Sequence, residues 1–122
     1  MGWNLKSDRP IYAQIIEELQ LRIVSGEYRA GQRMPSVREL AAQAEVNPNT
    51  MQKALAEMEQ KGLLYSQRTS GRFVTEDQNM IEQMKQNLAK DQIIAFVENM
   101  RQLGFDNDDI LAQVQNIVKE EE

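Results

Sequence analysis

Two helix starts separated by a very short turn, near the middle of the chain, constrain this fold more than any other feature. Ser36 and Glu39 have the spacing of a capping box, in which the two ends of the first helical turn hydrogen-bond to each other. Asn47 followed by Pro48 marks a second start, because Asn is a favoured N-cap and proline is tolerated at the first helical position. Apolar residues follow each start at steps of three or four. The sequence therefore predicts two short helices joined by a tight turn.

Further helices and one hairpin surround this pair. A first helix begins at Pro10 and ends before Gly26, with apolar residues at steps of four. Residues 63–75 contain two β-prone runs separated by four residues that end in glycine, which predicts a hairpin with a basic tip. The spacing of apolar residues over 80–103 predicts helix, as one segment or two, and Asp106 caps a last helix.

The element order is helix, helix, tight turn, helix, hairpin, and two helices separated by one short turn place the N-terminal end of the second in the DNA major groove. Burial of its apolar side leaves four polar residues outward: Asn49, Thr50, Gln52 and Lys53. Asn and Gln amides pair bidentately with adenine, and Thr offers a hydroxyl and a methyl group. Arg38 on the preceding helix and Arg68 and Arg72 at the hairpin add cations for bases or phosphates. A solvated polar face explains any one of these residues alone, whereas the combination favours DNA binding.

The charge differs between the two parts of the chain, which indicates that they have different functions. The net charge is -5, but residues 1–75 carry ten Lys and Arg against eight acids, whereas residues 76–122 carry four against eleven. An acidic tail does not prevent DNA binding, because phosphate contact depends on the field at one face within a Debye length of about 8 to 10 Å.

Several runs of residues, in a fixed order, carry a family resemblance. They are P-I-Y-A-Q-I at 10–15, G-E-Y-R-A-G-Q-R-M-P-S-V-R-E-L-A at 26–41, V-N-P-N-T-M-Q-K-A-L at 46–55, E-x-x-G-L-L at 59–64 and G-R-F-V at 71–74. Together they resemble the winged-helix DNA-binding domain of GntR-type bacterial transcription regulators, over about residues 8–75. The start with Trp3 and the short helical tail are similar to the YtrA-type branch, whose tail is a dimerisation module.

The resemblance implies specific DNA contacts. They are Ser36 and Arg38 in the first helix of the pair; Asn47, Asn49, Thr50 and Gln52 in the second; and Arg68, Ser70, Gly71 and Arg72 in the hairpin, or wing. Two positions depart from the family pattern. Many helix-turn-helix sequences have glycine at the turn position of Glu45, where a left-handed backbone costs another residue about 1 kcal/mol. Many relatives have arginine where Pro48 stands, so one base-reading side chain is absent.

The predicted fold class is mainly α with a small β-hairpin: an N-terminal winged helix-turn-helix domain, residues 1–75, followed by a short all-helical dimerisation domain, residues 76–122. Apolar stripes on so short a tail have little partner surface of their own, so we expect them to bury against a second copy. The residues expected in that contact are Met84, Leu88, Phe96, Met100, Leu103, Leu111 and Val114.

Other classes of function are less well supported. The chain has no histidine and no cysteine, so the commonest general base and metal ligand are missing, and no enzyme, metal or cofactor is predicted. The acids at 106–109 lack the spacing of a calcium loop. A winged helix that binds only protein would expose apolar anchors rather than Asn, Gln and Arg. The expected function is a cytoplasmic, homodimeric regulator, a repressor, that binds a palindromic operator in double-stranded DNA and no membrane; whether a small-molecule effector exists stays open.

Overall fold

The computed structural model describes residues 3–121. Its elements, in chain order, are α1 (Ile11–Val24), α2 (Val37–Ala44), α3 (Pro48–Gln60), β1 (Leu64–Gln67), β2 (Gly71–Val74), α4 (Gln78–Gln102) and α5 (Asn107–Glu121). The apolar stretch over 80–103, which periodicity alone left as one helix or two, is the single helix α4. The chain divides into two compact units, one ending at Lys85 and the other beginning at Gln86. A functional boundary after residue 75 stays a prediction.

The core of the first unit comes from one side of each of its elements. Every fourth residue of α1 from Ile15 to Ile23 is buried, as the step-of-four pattern predicts. The largest fully buried side chains are Ile15, Leu19, Leu40, Met51, Leu55, Met58, Leu64 and Val74. Burial of one such aliphatic side chain contributes roughly 1.5–3 kcal/mol, so these contacts fix how α1, α2, α3 and the hairpin pack.

The ends of α2 and α3 have the hydrogen bonds that the sequence predicts. Ser36 Oγ accepts from the Glu39 backbone N–H at 3.1 Å, and Glu39 Oε1 accepts from the Ser36 N–H at 3.1 Å. Asn47 Oδ1 accepts from the Asn49 N–H at 2.7 Å, with Pro48 in the first turn. Glu45 takes the left-handed conformation, with φ 57° and ψ 48°. The turn between the two helices is therefore set by local chemistry at both sides.

The hairpin is antiparallel, with Leu64 opposite Val74 and Tyr65 opposite Phe73, whose rings stack at 5.6 Å. The loop before α2 joins it from the other edge of β2. The Met34 N–H donates to the Arg72 carbonyl at 2.8 Å, and the Val74 N–H donates to the carbonyl of Gln32 at 2.9 Å. The wing is therefore hydrogen-bonded to the segment that leads into α2.

The second unit contains α4 from Gln86 onward, which is most of that helix, and all of α5. Asp106 caps α5, because its Oδ1 accepts from the Asp109 N–H at 2.9 Å. Ile110 is buried, but many large apolar side chains of this unit are exposed: Ile93, Ile94, Phe96, Leu103, Leu111, Val114, Ile117 and Val118. Within residues 3–121, no helix is long and apolar enough to cross a membrane.

The left-handed backbone at Glu45 gives a prediction for stability. Replacing Glu45 with glycine removes the clash of a Cβ atom in this conformation, so we expect Glu45→Gly to raise the free energy of unfolding by about 0.5–1 kcal/mol. The matched control is Gln43→Gly, which places glycine inside α2 at an exposed position and should lower that free energy by about 1 kcal/mol. Urea unfolding measures both. Equal losses in the two variants would contradict the assignment of strain to Glu45.

Candidate nucleic-acid interface

The outer side of α3 presents polar residues near its N-terminus. Met51 and Leu55 are buried, whereas Asn49, Gln52 and Lys53 are exposed, as the helical period predicts. Thr50 is half-buried. The residues predicted to contact DNA bases therefore lie on the solvent-facing side of a helix whose opposite side is buried in the core.

Two of the predicted contact residues also hold their own helices in place. Ser36 Oγ and Asn47 Oδ1 are the acceptors of the two N-caps. The hydroxyl hydrogen of Ser36 and the amide N–H groups of Asn47 are the donors that these caps do not use. These donors therefore remain available for a DNA contact, for which a phosphate oxygen is a suitable acceptor.

Lys53 has an aromatic partner that the sequence analysis missed. Its Nζ lies 4.4 Å from the ring centroid of Tyr12, on α1. A cation over an aromatic face at an exposed site gains about 0.5–1 kcal/mol. The contact holds the ammonium group beside the outer side of α3. Hydrophobic periodicity assigns Tyr12 only to the core side of α1, so no sequence signal connects it to Lys53.

A cleft of about 700 Å³ lies between the start of α2 and the wing. Four predicted contact residues line it: Ser36, Arg68, Gly71 and Arg72. Arg33, which the sequence analysis did not select, lines the same cleft. Arg38 and Ser70 are not among its lining residues, and Arg38 is exposed on α2. The wing and the capping-box helix therefore share one cationic surface.

Arg72 is engaged within the chain. Its Nε lies 3.0 Å from Glu59 Oε1, which also accepts a 2.6 Å hydrogen bond from the Ser66 hydroxyl. The hydrogen bond from Ser66, followed by that from Arg72 and its charge, lowers the pKa of the Glu59 carboxyl. The side chain of Arg72 is 19% exposed. Glu59 thus ties the wing to the last turn of α3, a role that sequence reasoning missed because it depends on how two elements pack.

A helix-turn-helix with a buried inner side, an exposed polar outer side and a cationic wing defines a DNA-binding transcription regulator. The model of the gntR family of bacterial regulatory proteins matches residues 11–74, and this chain belongs to that family. It is a regulator of the winged helix-turn-helix class and not an enzyme.

Relatives of similar length support this assignment. The chain is 34% identical over 119 residues to the HTH-type transcriptional regulator YhcF of Bacillus subtilis, covering 98% of each chain. It is 34% identical over 101 residues to the transcriptional repressor YtrA of the same organism, covering 83% of this chain and 73% of YtrA. The resemblance to YtrA-type regulators is thus confirmed.

Solved structures agree. A GntR family transcriptional regulator from Listeria monocytogenes is 40% identical, with a TM-score of 0.83, and the match covers 92% of this chain and 98% of that one. The DNA-binding domain of AraR, solved in complex with operator ORX1, is 34% identical, with a TM-score of 0.53, and covers 62% of this chain and 92% of that one. The winged helix-turn-helix fold is therefore confirmed, with a helical C-terminal part.

The Glu59–Arg72 pair gives a second prediction. In a double-mutant cycle of Glu59→Gln and Arg72→Gln, we expect a coupling free energy of about 0.5–1 kcal/mol at pH 7, because both side chains are shielded from solvent in part. The folded-state pKa of Glu59 lies below its unfolded value of about 4.3. The coupling is therefore present above that value and lost as the pH falls through the folded pKa.

Urea unfolding of the four proteins of the cycle, repeated between pH 7 and pH 3, measures this coupling. The matched control is the pair Glu57–Lys61, 3.3 Å apart, whose two partners lie one helical turn from each other at the end of α3 and whose lysine side chain is 55% exposed. Its cycle should give no more than about 0.5 kcal/mol. A Glu59–Arg72 coupling no larger than this control, or one that grows in acid, would contradict the role of Glu59.

Proposed function

We propose that this chain is a homodimeric repressor of transcription that binds a palindromic operator in double-stranded DNA. The observation that carries the proposal is the exposure of Asn49 and Gln52 on a helix whose other side is fully buried. Such a helix can enter the major groove without exposing apolar surface to water. The solved complex of the AraR DNA-binding domain with its operator supports the same mode of binding here.

Bases are read from the first turns of α3. Asn49 and Gln52 each offer an amide that pairs bidentately with adenine, and Thr50 contributes a hydroxyl and a methyl group. Arg38, exposed near the start of α2, reads a guanine edge, because its planar guanidinium matches the O6 and N7 acceptors of that base.

The wing and the helix starts bind the phosphate backbone. Arg68 is exposed at the turn of the hairpin, beside Ser70 and Gly71. Ser36, Asn47 and Lys53 add donors along α2 and α3. Arg72, whose Nε is paired with Glu59, contributes to DNA binding mainly by positioning the wing, and it lines the cleft.

The second unit supports dimerisation. Leu103 and Leu111 are 72% and 62% exposed, an unfavourable arrangement in water that a two-fold partner would relieve. Phe96 and Val114 are exposed in part, and Leu88 and Met100 are half-buried. Met84 is buried within the chain and 7% exposed, so it is not part of the proposed surface. Two copies of the DNA-binding unit then meet two half-sites of one operator.

Repression follows when such a dimer occupies a promoter in the cytoplasm, where bacterial DNA lies. The similarity to YtrA, which is named a transcriptional repressor, supports this direction of control. The acidic balance of residues 76–122, with seven more acids than bases, gives this part of the chain no attraction to phosphates and favours a role in dimerisation rather than in DNA contact.

Dimerisation is tested by Leu111→Asp, at an exposed position where the substitution leaves the monomer core intact. We expect sedimentation to show a wild-type dimer and a mutant monomer at micromolar concentration, with much weaker operator binding by the mutant. Asn116→Asp, which adds the same charge on the opposite side of α5, is the control and should stay dimeric. A wild-type monomer that binds an operator half-site with full affinity would contradict the proposal.

Base reading and phosphate binding are separated by Asn49→Ala and Arg68→Ala. Loss of Asn49 should weaken operator binding by about 1–3 kcal/mol and leave binding to random duplex almost unchanged. Loss of Arg68 should weaken both by similar factors and reduce the slope of log affinity against log salt by about 0.9 per lost phosphate contact. Fluorescence anisotropy with both duplexes at 50 to 200 mM salt measures these affinities and separates the two effects. An Asn49 variant with an unchanged specificity ratio would show that α3 does not read bases.

A further inference from the structure

We propose that Arg33 binds a phosphodiester of the DNA backbone at the cleft between the start of α2 and the wing, where its side chain packs against Gly71. The inference rests on the proposed function and adds a contact residue that the family motifs and the sequence pattern did not select. Three features support it: the place of the guanidinium, its lack of an internal partner and the shape of the cleft.

The guanidinium of Arg33 lies against the backbone of the wing. A Cβ atom built on Gly71 would be 3.4 Å from Arg33 Nε and 3.7 Å from Nη2. Gly71 has φ +98°, a conformation that other residues rarely adopt. Glycine at this position therefore makes the turn into β2, and the arginine side chain lies within van der Waals distance of it.

The backbone of Arg33 is fixed as well. It forms an isolated antiparallel bridge with Phe73, and the Met34 N–H donates to the carbonyl of Arg72. The backbone of Arg33 thus lies in a hydrogen-bonded segment, and its side chain packs against the wing. Less conformational entropy is lost when such a side chain binds an anion than when a free surface arginine does.

Arg33 has no ion-pair partner among residues 3–121, whereas Arg9, Arg22 and Arg72 are each paired with a glutamate. Glu39, also at the cleft, is held by hydrogen bonds with Ser36, which lower its pKa first, and the charge of Arg33 lowers it further. Within residues 3–121 the guanidinium of Arg33 donates no hydrogen bond to Glu39 or to another side chain, so its N–H groups are available to an external anion.

The cleft suits a phosphodiester. Arg33 and Arg68 contribute cations from two different segments, and Ser36 adds a hydroxyl. The guanidinium fork binds two phosphate oxygens at once, which a lysine ammonium does not do. Since the cleft opens between α2 and the wing, two elements that bracket the DNA-reading helix in the chain, a phosphate of the bound duplex is the occupant that we assign.

The test compares Arg33→Ala with Arg29→Ala, which removes the same charge from the same loop at an exposed position outside the cleft. Fluorescence anisotropy with operator and with random duplex measures affinity. We expect Arg33→Ala to weaken binding to both duplexes about tenfold or more and to reduce the salt slope by about 2 in a dimer. Arg29→Ala should change both affinities less than about twofold.

Arg33→Lys keeps the charge without the fork, so it should retain most of the salt slope but recover only part of the affinity. Thermal unfolding of the variants checks that the wing remains folded. Equal effects of Arg33→Ala and Arg29→Ala would overturn the proposal, as would a loss confined to the operator, which would make Arg33 a base-reading residue. Saturable binding of inorganic phosphate that depends on Arg33 would assign the cleft to a free anion instead. A wild-type protein that binds neither duplex would refute the proposed function itself.

Discussion

The burial of one side of α3 is the constraint on which the rest of the DNA-binding unit depends. Met51, Ala54, Leu55 and Met58 are all at or near zero exposure, so the helix cannot rotate about its axis without exposing core. This fixed orientation of the helix places Asn49 and Gln52 on its solvent-facing side. The orientation of this polar surface is thus fixed by the residues buried beneath it.

The turn before α3 decides where the reading residues begin. Glu45 has a left-handed backbone conformation, and Asn47, two residues later, is the N-cap of α3. In the proposed mode of binding, a longer turn would move Asn49 along the groove, and loss of the cap would fray the first turn, from which its side chain would approach the bases. The left-handed residue Glu45 and the cap residue Asn47 together set where α3 begins.

Much of this arrangement could be predicted from the sequence because the signals are local. The capping box, the Asn47 cap, the step-of-four burial in α1 and the hairpin turn that ends at Gly71 each depend on residues a few positions apart. The pairing of Arg72 with Glu59 and of Lys53 with Tyr12 could not be predicted, because each partner lies on a different element. Met84, which periodicity placed on a dimer surface, is buried in the chain for the same reason: its neighbours come from tertiary packing.

The central claim is that this chain binds a defined duplex sequence as a symmetric dimer. Selection from a random duplex library with the full-length protein, followed by hydroxyl-radical footprinting of the enriched sequence, tests it most directly. We expect enrichment of an inverted repeat, with protected backbone positions related by a two-fold axis. A selected pool indistinguishable from the starting library, or a footprint on one half-site alone, would contradict it.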